Sequence, residues 1–135
     1  LSAKAINTID IVILHPAIEG ASPYSAYNPK QNPGRFLTDC RCRDILIRLS
    51  TMNKQLLALA TQSPDVVINL CDGSADEDQP GLGVVLALER LGIPFTGAGS
   101  RCFDISRNAQ KMAAYAAGFK IPPYVNIHSL ADMDA

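Results

Sequence analysis

Residues 64–100 read PDVVINLCDGSADEDQPGLGVVLALERLGIPFTGAGS. Val66, Val67 and Ile68, with Leu70 after them, form a short apolar run rich in β-branched side chains. That is the composition of a strand buried on both faces of a parallel sheet. The run stops at Cys71-Asp72-Gly73, and the polar loop beyond carries Asp72, Asp76, Glu77 and Asp78. Pro80 suits the first turn of a helix capped by Asp78 or Gln79. Val84, Val85, Leu88 and Leu91 recur on one helical face. Gly92 stops that helix, Ile93–Thr96 starts a second short strand, and Gly97-Ala98-Gly99-Ser100 opens a further helix. In folds built from such units, ligands gather beyond the carboxyl ends of the strands.

Toward the amino terminus, Ile9–Leu14 is a further apolar strand, closed by His15 and by Pro16, which cannot donate to a ladder. His15 thus stands at the same kind of strand end as Cys71, either as a structural imidazole or as a site residue. Residues 17–36 carry Gly20, Pro23, Pro29, Pro33 and Gly34 as breakers. So long a loop is either a flap over the sheet edge or a surface excursion at an interface. Thr38 or Asp39 caps an expected helix running to about Thr61, since Ile45, Leu49, Met52, Leu56 and Leu59 alternate steps of four and three. Arg41, Arg43, Arg48 and Lys54 are its solvated charges. Beyond Ser100, Arg101–Ser106 reads as a short helix. Asn108–Ala117 reads as a longer one, capped by Asn108 or Ser106 and ended by Gly118. Tyr124–Ile127, after Pro122-Pro123, reads as a last strand. Three clear strands joined by right-handed crossovers give an α/β, three-layer domain with a mainly parallel sheet and helices on both faces.

A chain of 135 residues, 47% hydrophobic and 19% charged, is large enough to bury a core. With a formal net charge of −1 and no basic stripe interleaved with aromatics, no nucleic-acid partner is expected. No apolar run has the length of a membrane span. Cys40, Cys42, Cys71 and Cys102 lack zinc-ligand spacing. They read as free thiols in a reducing, cytoplasmic compartment, with Cys71 a small buried filler. The chain opens on Leu1, as a processed or truncated piece would, and a lost targeting leader fits that opening.

Three segments together resemble the amino-terminal domain of D-alanine–D-alanine ligases and related ATP-grasp ligases. They are Pro64–Gly73 with its N-L-C-D-G strand end, Leu88–Gly97 reading L-E-R-L-G-I-P-F-T-G, and Ala116-Ala117-Gly118 followed by Pro122-Pro123-Tyr124-Val125. The resemblance covers about half the chain. It implies a small Rossmann-like (pre-ATP-grasp) domain over residues 1–121, which supplies part of an acceptor site. Residues 122–135 would be a hinge and the start of a missing ATP-grasp domain. In such enzymes ATP and magnesium ions convert a carboxylate into an acyl phosphate, which an amine attacks, so the isolated chain is expected to be inactive. Where the family carries a Gly-Gly-x-Ser-x-Glu loop, this chain reads His15–Ser22, with Glu19 in the place of the glutamate that holds a substrate ammonium. Asp72 replaces a common histidine. Arg107 and Lys111 fall at the family's nucleotide-contacting lysines, though both also read as solvated helix charges.

If the strands are parallel, His15, Asp72-Gly73 and Gly97–Ser100 share one edge. Gly97 and Gly99 permit close backbone approach, and a helix starting at Ser100 would favour an anion. Asp72 with Glu77 or Asp78 would favour an ammonium group. Asp76, Glu77 and Asp78 can equally serve the dipole of the following helix. The expected substrate-binding set is His15, Glu19, Asp72, Gly73, Glu77, Gly97 and Ser100, with Arg107 and Lys111 for the nucleotide. The expected ligand is an amino acid or peptide, and a homodimer is an open possibility. Two other classes stand beside the ligase: a non-catalytic Rossmann-like docking module, and a nucleotide-cofactor oxidoreductase. The last is weakened because no G-x-G-x-x-G follows Ile9–Leu14.

Overall fold

The structure, a computed structural model, describes residues 8–20, 32–73, 78–125 and 127. The chain divides into two compact units, Leu1–Asp104 and Ile105–Ala135. The first is an α/β unit whose four-stranded sheet is parallel throughout, the topology of a small Rossmann-like domain. Its elements are β1 (Asp10–Pro16), β2 (Arg41–Ile47), α1 (Met52–Ala60), β3 (Val66–Asn69), α2 (Leu82–Leu91) and β4 (Phe95–Thr96). The strands lie in the order β2-β1-β3-β4.

β1 is central, as its unbroken apolar run predicts: Val12, Ile13 and Leu14 are fully buried. Alternation along the strands divides their side chains between two faces. Val12, Leu14, Ile47 and Val67 pack with Leu56 and Leu59 of α1 and Val84 and Leu88 of α2. Both helices therefore cover the same face. Moving from β2 to β3 and then β4 steps across the sheet in one direction, and right-handed crossovers place both connections on one side. On the opposite face, at Ile13, lies the 3-10 turn Pro33–Phe36. Gly34 sits so close that a Cβ there would stand 2.9 Å from Ile13 Cδ1.

The expected helix from residue 38 to 61 is corrected by the structure. Residues 41–47 form the edge strand β2, a 3-10 turn follows at Leu49–Thr51, and only Met52–Ala60 is α-helical. Gln55 fixes the break. Its amide donates to Leu46 O at 2.7 Å and accepts from Arg48 N and Thr51 Oγ1 at 3.2 and 2.9 Å. Arg41 and Arg43 stand on β2 and not on a helix, and both reach Asp10 although the Arg41 side chain stays largely exposed. Arg41 Nε lies 3.0 Å from Asp10 Oδ1, and Arg43 Nη2 lies 3.4 Å from Asp10 Oδ2. The Arg41 hydrogen bond holds the Asp10 carboxyl below its usual 3.8, against the opposing effect of burial.

Three further boundaries differ. The cap of α2 is Gly81, with Pro80 before it. The cause is a backbone crossing in which Gly73 and Gly81 pair as an isolated bridge and Gly73 N donates to Pro80 O at 3.1 Å. Residues 100–104 are turns, not a helix. The described residues of the 124–127 run, Tyr124, Val125 and Ile127, are not in a strand.

The second unit contains α3 (Arg107–Ala116), capped by Ser106, whose Oγ accepts from Ala109 N at 3.2 Å. Gly118 follows it with φ 84°, the left-handed conformation that glycine adopts cheaply. Tyr124 folds back on this helix. Its hydroxyl donates to Asn108 Oδ1 at 2.8 Å, and its ring lies 4.1 Å beneath Lys111 Nζ.

A Cβ on Gly81 would stand 1.7 Å from Gly73 O. Gly81→Ala should therefore destabilise the fold by about 2–3 kcal/mol, measured by urea denaturation. Gly83→Ala, whose methyl meets only the flexible end of Met52 at 3.0 Å, should cost less. Equal losses would mean the crossing does not constrain the chain.

Candidate functional site at the sheet rim

The chain leaves β1 for β2 on one side and β3 for β4 on the other. The direction of winding thus reverses between β1 and β3, where parallel α/β sheets open a crevice at their carboxyl ends. The register levels Leu14 with Asn69, and Leu70 N donates to Leu14 O at 3.0 Å. His15, near the end of β1, and Cys71-Asp72-Gly73, just past β3, therefore stand at one rim, on either side of that reversal. Asn69 shapes the exit of β3: its Oδ1 accepts from Cys71 N at 3.1 Å, an Asx turn.

All the expected site residues except Glu77 lie among the described residues. His15 is buried, and its Nε2 stands 2.7 Å from Asp44 Oδ1. Asn32 Nδ2 donates to the same oxygen at 2.8 Å. The Asp44 carboxylate thus ties the imidazole on β1 to β2 and to Asn32, the residue that caps the 3-10 turn. Glu19 is exposed at the rim, and its Oε1 accepts from Ser50 N at 2.8 Å, just ahead of α1. Asp72 is exposed at the exit of β3 and has no hydrogen-bond or ion-pair partner among the described residues. Gly73 is buried in the crossing with Gly81. Gly97 has φ 107°, a turn conformation open to glycine. Glu77 lies outside the described residues, as does Asp76. Asp78 is exposed.

Ser100 does not head a helix, which removes the expected helix-terminus anion site. Its N–H donates to Glu89 Oε1 at 2.8 Å. Glu89 belongs to the last turn of α2, the end that leads into the start of β4, so this bond draws Ser100 away from the rim shared by His15 and Asp72. Arg107 and Lys111 lie in the second unit, four residues apart on one face of α3. Among the described residues, no group of three or more His, Cys, Asp or Glu side chains could hold a metal ion.

The electrostatics follow from these contacts. The Ser50 amide holds Glu19 below its usual 4.5, and the Ser100 amide does the same for Glu89. Burial, with Asp72 beside it, pushes the Cys71 thiol up to about 12, so it is no nucleophile at neutral pH. Asp44, Asn32 and Glu89 were not anticipated as contributors. Asn69 carried a usable signal, an Asn placed two residues before the amide it caps.

Comparison of the chain with protein-family models, with curated proteins and with solved structures gave no match. No helix among the described residues is long and apolar enough to cross a membrane.

Because Glu19 and Glu89 have depressed folded-state values, the stability they contribute is fully present above about pH 4.5, their ordinary value, and is lost as pH falls through the folded-state values. Glu19→Gln and Glu89→Gln should each lower Tm at pH 7, and the difference from the parent chain should shrink as pH falls below about 4.5. A constant Tm difference across that range would show that neither carboxylate is held by its amide.

Proposed function

We propose that this chain is the amino-terminal, substrate-binding domain of an ATP-dependent carboxylate–amine ligase of the ATP-grasp kind. The observation that carries the reading is the position of Asp72. It sits in the N-L-C-D-G strand end that resembles the ligases, at the rim beside the winding reversal, and its carboxylate has no hydrogen-bond or ion-pair partner among the described residues. An unpaired carboxylate there attracts the ammonium group of an amino-acid or peptide acceptor. Gly73 and the crossing beneath it hold the Asp72 backbone in place, and Glu19 closes the neighbouring loop onto Ser50. When bound, ATP would supply the phosphoryl group that activates the carboxylate substrate. Arg107 and Lys111 are the cations proposed to meet its phosphates, Arg107 offering a planar fork and Lys111 a point charge. The described residues provide no group of three or more His, Cys, Asp or Glu side chains that could hold a magnesium ion. The four free thiols fit a cytoplasmic enzyme.

A second reading, a binding module without catalysis, is favoured by an open apolar groove between α1 and α2. ATP-dependent phosphate release by the complete ligase polypeptide, assayed against amino acids and dipeptides, separates the two. Release that requires a particular substrate pair is expected. None with any pair, from a polypeptide that binds ATP, would remove the ligase reading.

Asp72→Ala should raise the acceptor KM about tenfold, the effect of one charged hydrogen bond, and leave the ATP KM unchanged. An unaltered acceptor KM would take Asp72 out of the site.

A further inference from the structure

Two of the four thiols stand together, away from the rim. Cys40 and Cys42 flank Arg41 at the start of β2, an edge strand of the sheet, and both are half-buried and unbridged. Arg41 N donates to Ile9 O at 2.8 Å and Arg41 is in register with Asp10, so the backbone between the two cysteines is extended. Positions two apart on such a backbone face the same way. The Arg41 side chain takes the other face, where it reaches Asp10. Cys42 takes the face of Ile13 and the 3-10 turn, since a Cβ on Gly34 would stand 3.5 Å from Cys42 Cβ. Burial, then the neighbouring Cys40, then Asp44 push the Cys42 thiol up. Asp44, next on the same face, is engaged by His15 and Asn32. The other thiols are out of reach: Cys71 lies past the carboxyl end of β3, and Cys102 lies past β4, at the opposite edge of the sheet. Among the described residues the two sulfurs therefore form a pair with no third ligand.

We propose that Cys40 and Cys42 form a binding site for a single monovalent copper ion, Cu(I). Soft thiolates select Cu(I), a d10 ion that is satisfied by two sulfur ligands in a near-linear arrangement. Zn2+ requires a tetrahedral set of four ligands and finds two. On binding, two S–Cu bonds form, the two thiol protons pass to solvent, and nothing is oxidised or reduced. The spacing favours a metal over a disulfide. A rise of about 3.3 Å per residue sets the two Cα atoms roughly 6.6 Å apart, at the far end of the range of about 4.4–6.8 Å that a disulfide tolerates. An ion between the sulfurs spans that gap without bending the strand. A thiol held in its protonated form is also slow to attack an oxidant, whereas Cu(I) displaces the proton. This inference does not rest on the ligase reading.

The test titrates Cu(I) into the fully reduced 135-residue chain without oxygen, against the coloured chelator bathocuproine disulfonate. The parent chain should retain one ion per chain, with a thiolate-to-copper charge-transfer band in the ultraviolet, and sedimentation should show no dimer formed on loading. Cys40→Ser and Cys42→Ser should each lower the affinity by about a hundredfold, the loss expected when two linked ligands become one. Cys102→Ser should leave it unchanged, and excess Zn2+ should not displace the copper. Circular dichroism establishes that each variant is folded, and Cys40→Ser, ahead of the strand, carries the test where Cys42→Ser is not. Parent-like affinity in a folded Cys40→Ser chain would overturn the proposal, as would an equal loss in Cys102→Ser. One ion held between two chains would also overturn it. So would a Cys40–Cys42 disulfide found by mass spectrometry after equilibration with glutathione disulfide, in a chain that retains no copper against the chelator.

Discussion

The hydrogen-bonded ladders on both sides of β1 are the constraint from which the rest of the structure follows. A strand paired on two edges and covered on two faces has no place for water, so Asp10–Pro16 must be apolar along nearly its whole length. It also has to begin and end with groups that find partners inside the protein. Asp10 does so through Arg41 and Arg43, and its amide donates to Asp65 Oδ2 at 2.7 Å. His15 does so through Asp44. The two ends of the central strand are thus tied to its neighbours by side chains as well as by backbone. Placing β1 between β2 and β3 also creates the reversal of winding, so the crevice and the stability of the sheet have one origin.

At the carboxyl rim the loops are closed mainly by acceptors that the chain supplies to its own amides. Glu19 takes the Ser50 amide and Asn69 takes the Cys71 amide. Further along, Glu89, in the last turn of α2, takes the Ser100 amide. A loop amide that already has a carboxylate cannot offer itself to an incoming anion without losing that bond. Among the described residues this pattern leaves Asp72 as an unpaired charge at the rim, and an unpaired carboxylate selects for cations. The expected pairing of a positive with a negative corner thus reduces to a negative corner.

The elements most legible in the sequence were those whose period comes from one packing environment. Val84 and Leu88 face one core with Leu91 packed against it, and α2 was located from them, Val85 and Gly92. β1 and β3 were located from β-branched runs. β2 was hidden for a specific reason. Ile45 belongs to a strand, Leu49 to a 3-10 turn, and Met52, Leu56 and Leu59 to a helix, yet their spacings join into one helical pattern. An edge strand strengthens the illusion, because Arg41, Arg43 and Asp44 are the residues expected on a solvated helix face. Nothing local distinguishes an arginine in water from one that reaches Asp10, thirty residues earlier in the chain. The Gly73–Gly81 crossing was invisible for the same kind of reason: two glycines bounding a polar loop state flexibility, whereas the structure uses them for contact.

The candidate site was legible only at the level of which loops meet. Parallel strands oblige His15 and Asp72 to emerge at one end, and that follows from topology alone. What each side chain does there depends on contacts of high sequence separation. His15 and Asp72 read alike, as polar residues at strand ends. They differ because His15 belongs to the strand itself, where Asp44 and the turn at Asn32 enclose it, while Asp72 lies past the Asx turn that carries the chain out of the sheet. The boundary between a structural and an available polar group is set there by one residue, Asn69. An asparagine that bends the backbone at the last position of β3 places the next charged side chain in solvent, at the one gap in the rim where the winding reverses.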